Sequence, residues 1–303
     1  MNKGPLSERH SPAEPASRAA SAPIGVFDSG VGGITVLKEL KRALPTESFI
    51  YLGDTARLPY GPKPTDMVRG FADEIAHTLL QREVKAVVVA CNTASAAALP
   101  DLAERLPVPT WGVVEPGVAA ALAVAPRARI GVLGTVGTVR SRVYQDRLER
   151  AGATTWAQAC PLFVPIVEEG VSDTEIARLV AAYYLDGRPP LDAVILGCTH
   201  YPALKGVLAQ ILGPGVTLVD SAESVAAVVK AELARLELLA PAGGPASVHY
   251  IVTGDIPTFL HATDMLAGPK GTFEHMNVAD LARALRAPGF ATEAPSHEQA
   301  VSS

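Results

Sequence analysis

Residues 86–95 read AVVVACNTAS, and residues 193–202 read AVILGCTHYP. Each is a short unbroken apolar run that ends in a cysteine followed by two polar residues. A run of Val, Ile and Leu this short, bounded by polar residues, is the pattern of a strand buried on both faces, as in a parallel sheet. Working outward, similar runs occur at IGVFD (24–28), SFIYLGD (48–54), TWGVVE (110–115), RIGVLGT (129–135), VTLVD (216–220) and VHYIVTG (248–254). Between them lie stretches with helical spacing of apolar residues, such as 32–45, 64–83 and 139–152. Strands alternating with helices predict βαβ units, and so an α/β fold with parallel sheets.

The chain also echoes itself. IGV starts at Ile24 and again at Ile130, and AV-x-x-x-C starts at Ala86 and again at Ala193. The runs ending in Glu115 and Asp220 follow Cys91 and Cys198 at nearly equal intervals. Landmarks that keep order and spacing predict two similar half-structures. The expected organisation is two pseudo-symmetric parallel-sheet α/β domains with the site in the cleft between them. One lobe takes 23–113 and regains the chain over 223–287, where the helical stretch 224–239 precedes VHYIVTG. The other takes 114–222. Residues 1–22 and 288–303 are rich in Pro, Ser and Ala without apolar period, and are expected to be disordered tails.

Bulk properties exclude several classes of function. The 303 residues are 48% hydrophobic and 19% charged, with a formal net charge of −5. That balance fits a globular protein and gives no electrostatic footprint for nucleic acid. No stretch reaches the 18 or so apolar residues of a membrane span, and the N-terminus lacks the apolar core of a secretory signal. Three cysteines without C-x-x-C spacing read as reduced thiols, so the expected location is the cytoplasm.

Ligands in open α/β sheets bind beyond the carboxyl ends of the strands, where Cys91 and Cys198 both stand. A helix beginning behind each is expected to lower its thiol pKa toward neutrality. Asn92 and Thr93 follow the first cysteine, and Thr199 and His200 the second. These supply helix caps, hydrogen bonds and an ionisable neighbour. A phosphatase loop of the form C-x5-R is absent at both places. A zinc site from Cys91, Cys198 and His200, or a redox pair, stays open. Two thiols on opposite faces of one carbon allow something more particular: one removes a proton and the other returns it from behind, inverting the centre. Asp28 and Ser29, ahead of Gly30, Gly32 and Gly33, end the first strand in a turn that brings backbone amides close to a ligand. LPYGPK (58–63) is a proline-framed turn that offers Tyr60 and Gly61. Cys160 reads as a small core residue.

Taken together, DSGVGG, LPYGPK, ACNTAS, CPLFVPIVEEG (160–170) and GCTHYPAL (197–204) resemble the glutamate racemases, from about Ile24 to the region of Asp280. Aspartate racemases share the two-cysteine plan, but usually carry Glu where His200 stands here. The resemblance implies a cofactor-independent enzyme that interconverts L- and D-glutamate and supplies D-glutamate for peptidoglycan, acting as a homodimer. It implies Cys91 as the base toward D-glutamate and Cys198 toward L-glutamate. Asp28 would assist the first and His200 the second, with Glu168 rather than its neighbour Glu169 behind the histidine. Ser29, Tyr60, Gly61, Asn92, Thr93 and Thr199 would hold the substrate. None of the eight lysines lies in the cysteine motifs, in keeping with a reaction that needs no pyridoxal phosphate. An aspartate or hydantoin racemase is the alternative on the same scaffold. Some relatives are described as DNA gyrase inhibitors, a role that no feature of this sequence supports.

Overall fold

The structure, a computed structural model, describes residues 19–124, 128–243, 246–264 and 270–285. The expected tails therefore lie mostly outside the described residues. Ala19–Ser21 are an exception: they make a turn of helix, and Ala20 is buried, so residues 19–22 do not belong to a loose tail.

The fold is α/β, with every paired strand parallel. In the first half, β1 (Ile24–Asp28), α1 (Ile34–Ala43), β2 (Phe49–Gly53), α2 (Thr65–Gln81), β3 (Ala86–Val89), α3 (Asn92–Arg105) and β4 (Thr110–Gly112) follow one another. The second half runs α4 (Val114–Val124), β5 (Arg129–Gly134), α5 (Val136–Arg140), α6 (Val143–Arg150), β6 (Thr154–Ala159), α7 (Phe163–Glu168), α8 (Glu175–Leu185), β7 (Ala193–Gly197), a 3-10 turn at Tyr201–Leu204, α9 (Lys205–Leu212) and β8 (Thr217–Asp220). The chain then returns through α10 (Ser221–Arg235), β9 (Val248–Val252), α11 (Ile256–Asp264), β10 (Thr272–His275) and α12 (Val278–Ala284).

One sheet has the order β10-β9-β2-β1-β3-β4, the other β6-β5-β7-β8. The strands named in the sequence echo hold equivalent places. Ile24 pairs with Phe49 and Ala86, and Ile130 with Thr155 and Ala193. Helices cover both faces of each sheet. In the first, Leu37 and Leu40 of α1 and Val225, Val229 and Leu233 of α10 pack on one side. Ile75 and Leu79 of α2 and Leu102 of α3 pack on the other. The second sheet is covered by α7, α8 and α9 on one face and by α4 and α6 on the other.

Three local expectations are corrected. The strand expected over 110–115 ends at Gly112, because Val114 and Glu115 already open α4. The helix expected over 139–152 breaks where Arg142 takes a left-handed conformation, φ 57°. Two strands, β6 and β10, arise from segments without a continuous apolar run. β6 is an edge strand of intermediate burial, so its TTWAQA lacks the pattern of its buried neighbours.

At the amino-terminal end of the first sheet, Lys85 and Glu47 form an ion pair at 2.5 Å with both side chains about 1% exposed. Lys85 Nζ also donates to Ala20 O (2.5 Å), and Glu47 Oε1 accepts from Ala240 N (2.7 Å). Three distant segments meet on this pair. Removing one partner strands the other charge in the interior. Lys85→Met is expected to cost about 3 kcal/mol of unfolding free energy by urea denaturation. A loss under about 1 kcal/mol would show that the pair is not sealed from water.

Candidate active site

A cavity of about 370 Å³ opens where the carboxyl ends of the two sheets meet. Its walls come from equivalent loops: Ser29–Gly30 after β1, 58–62 after β2 and Cys91–Thr93 after β3, opposite Thr135–Val136 after β5, the 161–168 region after β6 and Cys198–His200 after β7. Every expected site residue except Asp28 lines it, and Asp28 lies directly behind the wall.

Cys91 caps α3, its sulfur accepting from Ala94 N at 3.4 Å. Its thiol also donates to Ser29 Oγ, 3.7 Å away. The helix was expected to lower this thiol's pKa. Instead, burial and the nearby Asp28 carboxyl push it up to about 12, outweighing the Ala94 amide and Ser29. Asp28 is fully buried, with Oδ2 accepting from Gly30 N (2.9 Å) and Oδ1 facing Thr199 Oγ1 (3.5 Å) from the other lobe. Burial raises its carboxyl pKa, opposed by His200 and by the amides of Gly30, Gly33 and Ser29.

On the opposite wall, Cys198 Sγ lies 3.8 Å from His200 Nδ1, and His200 Nε2 lies 3.0 Å from Glu168 Oε1. Glu169, by contrast, is exposed at the end of α7. Burial works to lower the His200 pKa, but its hydrogen bonds to Cys198 and Glu168 win and raise it to about 10. Thr199 is anchored through its carbonyl, which accepts from Thr35 Oγ1 at 3.1 Å.

Tyr60 is part of the cavity wall. Its ring lines the cavity, but its hydroxyl turns away and donates to buried Asp54. Asp54 also accepts from Arg57 Nε (2.7 Å) and Thr253 Oγ1 (2.8 Å), and Arg57 covers the Phe71 ring at 4.0 Å. The 58–63 loop is thus pinned from behind, and Asp54 is the pin. Gly61 faces the other lobe directly, its carbonyl accepting from Gly137 N at 2.7 Å.

Beside that contact, Thr93 Oγ1 meets Thr135 Oγ1 (2.9 Å) and Thr138 Oγ1 (3.4 Å). The sequence reading missed Thr135 and Thr138. The internal echo held the signal, since Thr135 follows β5 just as Ser29 follows β1. Cys160 is buried and does not line the cavity. Among the described residues, no three His, Cys, Asp or Glu side chains cluster as a metal cage.

The arrangement presents two sulfur groups, each with its own ionisable attendants, to one enclosed space. Comparison with known proteins identifies the family. The profile of the Asp/Glu/Hydantoin racemase family matches residues 24–229. A glutamate racemase of Thermus thermophilus is 57% identical over 235 residues, 77% of this chain and 88% of that protein. The crystal structure of the glutamate racemase from Thermus thermophilus in complex with β-chloro-D-alanine superposes with a TM-score of 0.81 at 51% identity, covering 86% of this chain and 99% of that one. That of Francisella tularensis, in complex with D-glutamate, gives 0.80 at 34% identity over 86% and 99%. Carrying the two cysteine motifs on two parallel sheets, the chain belongs to the Asp/Glu/Hydantoin racemase family and, within it, to the glutamate racemases, which are amino-acid isomerases.

Proposed function

We propose that this protein racemises glutamate by a two-base proton transfer between Cys91 and Cys198, with no cofactor. The observation that carries the reading is the placement of both cysteines in the walls of one cavity, each from the equivalent strand end of its own lobe. The relative crystallised with D-glutamate supports the substrate.

The two sulfurs have unlike surroundings, and the difference suits opposite roles. Cys91, with its pKa pushed up to about 12, holds its proton and is ready to give it. Cys198 faces an imidazole that Glu168 helps to keep protonated, a counter-ion for a thiolate. In the L-to-D direction, Cys198 takes the α-proton and Cys91 delivers one to the opposite face. The reverse direction exchanges the roles, with Asp28 as the attendant of Cys91. The α-proton is a very weak acid, so the step needs donors on the α-carboxylate and little water. Ser29, Asn92, Thr93 and Thr199 are the candidate donors and acceptors, with Tyr60 and Gly61 shaping the wall. The lobes 23–113 with 223–287, and 114–222, would open to admit substrate and close around it. The product is D-glutamate for peptidoglycan, made in the cytoplasm by a homodimer. Among the described residues, no helix is long and apolar enough to cross a membrane.

Cys91→Ala and Cys198→Ala are each expected to lower kcat about a thousandfold or more with an unchanged circular dichroism spectrum, while Cys160→Ala stays near wild type. In D2O, early product should carry deuterium at the α-carbon while recovered substrate remains protiated. Label in both alike would indicate one exchanging base, and label in neither would sink the proposal.

His200 also sets a pH dependence. Its pKa is raised in the folded protein from 6.5 to about 10. The stabilisation this brings is complete below pH 6.5 and is lost as the pH rises toward 10. Between those limits, wild type should lose more unfolding free energy than His200→Gln. Parallel curves from urea denaturation would show that the histidine is unperturbed.

A further inference from the structure

Tyr144 lies on α6, in the second half of the chain, and is fully buried. Its hydroxyl accepts from Asn92 Nδ2 at 2.7 Å and stands 3.5 Å from Ser221 Oγ. A buried phenol needs an outlet for its proton as well as an acceptor role. With a lone pair taken by the amide, the proton points to Ser221. Burial pushes the phenol pKa up to about 12, against the pull of Ser221 and Asn92, so it stays protonated at neutral pH.

Asn92 adjoins Cys91 and lines the cavity. An amide has two ends of opposite character: the NH₂ only donates and the carbonyl only accepts. Tyr144 engages the NH₂ end. Among the described residues no hydrogen-bond donor meets Asn92 Oδ1, nor is that oxygen sealed from solvent. It is the end of the Asn92 side chain left to accept from a ligand, on a residue that lines the cavity.

We propose that Tyr144 is a positioning residue that holds Asn92 with its carbonyl oxygen toward the cavity, so that this point of the wall accepts from the substrate's α-ammonium group. The inference rests on the amino-acid reading above and adds what sets the polarity beside Cys91. Without the phenol oxygen, neither orientation of the amide is held. A turned amide would then present NH₂ to a cation.

Tyr144→Phe keeps the ring and removes the hydroxyl. Calorimetric titration should show glutamate binding weakened about tenfold, the loss of one hydrogen bond to a charged group. Binding of glutarate, the same dicarboxylate without the ammonium, should change by less than about twofold. Equal weakening of both ligands, or of neither, would overturn the proposal. Should Tyr144→Phe fail to fold, Ser221→Ala serves instead. It removes the outlet for the phenol proton, frees the hydroxyl to donate to Asn92 Oδ1, and should weaken glutamate selectively in the same way. A wild-type protein that binds glutamate but does not racemise it would overturn the functional reading. The comparison of glutamate with glutarate would still decide the role of Tyr144.

Discussion

Gly32 has no side chain because Thr199 and His200 occupy the space one would fill. A Cβ there would lie 2.2 Å from Thr199 Oγ1 and 2.6 Å from the His200 ring. This close approach of the β1–α1 turn to the other lobe governs the rest of the site. It lets Asp28 face Thr199 and places a carboxyl of one lobe within electrostatic reach of a histidine of the other. The far flank repeats the solution. Gly137 donates to Gly61 O at 2.7 Å, and a Cβ on Gly137 would stand 2.8 Å from that oxygen. Bare backbone on both flanks lets the two sheets share one cavity.

Within that space, burial does more than exclude water. It acts on every ionisable group at once, disfavouring charge, and only specific partners reverse it. His200 gains such partners in Cys198 and Glu168, so its protonated form prevails. Cys91 has an amide and a hydroxyl, which do not suffice against burial and Asp28. The helix N-terminus, which sequence reasoning expected to dominate, is outweighed because the thiol it serves is about 5% exposed. The sequence shows which residues flank a cysteine, but not how much water reaches it.

Much of the fold was legible because buried parallel strands are chemically distinctive. IGVFD, AVVV and AVILG are buried end to end. The edge strand β6 was not, since TTWAQA meets solvent and carries no such signature. Yet Thr155 pairs with Ile130 in the same register as Phe49 with Ile24, so extending the repeat by one element would have located it. The same extension leads from Ser29 to Thr135. What no local pattern carried were the side-chain meetings of distant segments: Asp54 with Thr253, Lys85 with Glu47, and Tyr144 with Asn92. Each depends on three-dimensional closure.

The repeat is faithful in backbone and unfaithful in charge. Asp28 ends β1, while its counterpart at the end of β5 is Gly134, and His200 has Thr93 as its opposite number. Mirror-image substrates have equal free energy in water, so their interconversion has an equilibrium constant of one whatever the catalyst. An enzyme of this reaction must then show the same kcat/KM toward both hands. Lopsided surroundings can still divide that shared ratio differently, giving one hand a tight, slow passage and the other a loose, fast one. Under the proposed reading, Asp28 without a matching carboxylate at Gly134 adds to the unlike surroundings of the two hands, so that the two directions saturate at different concentrations.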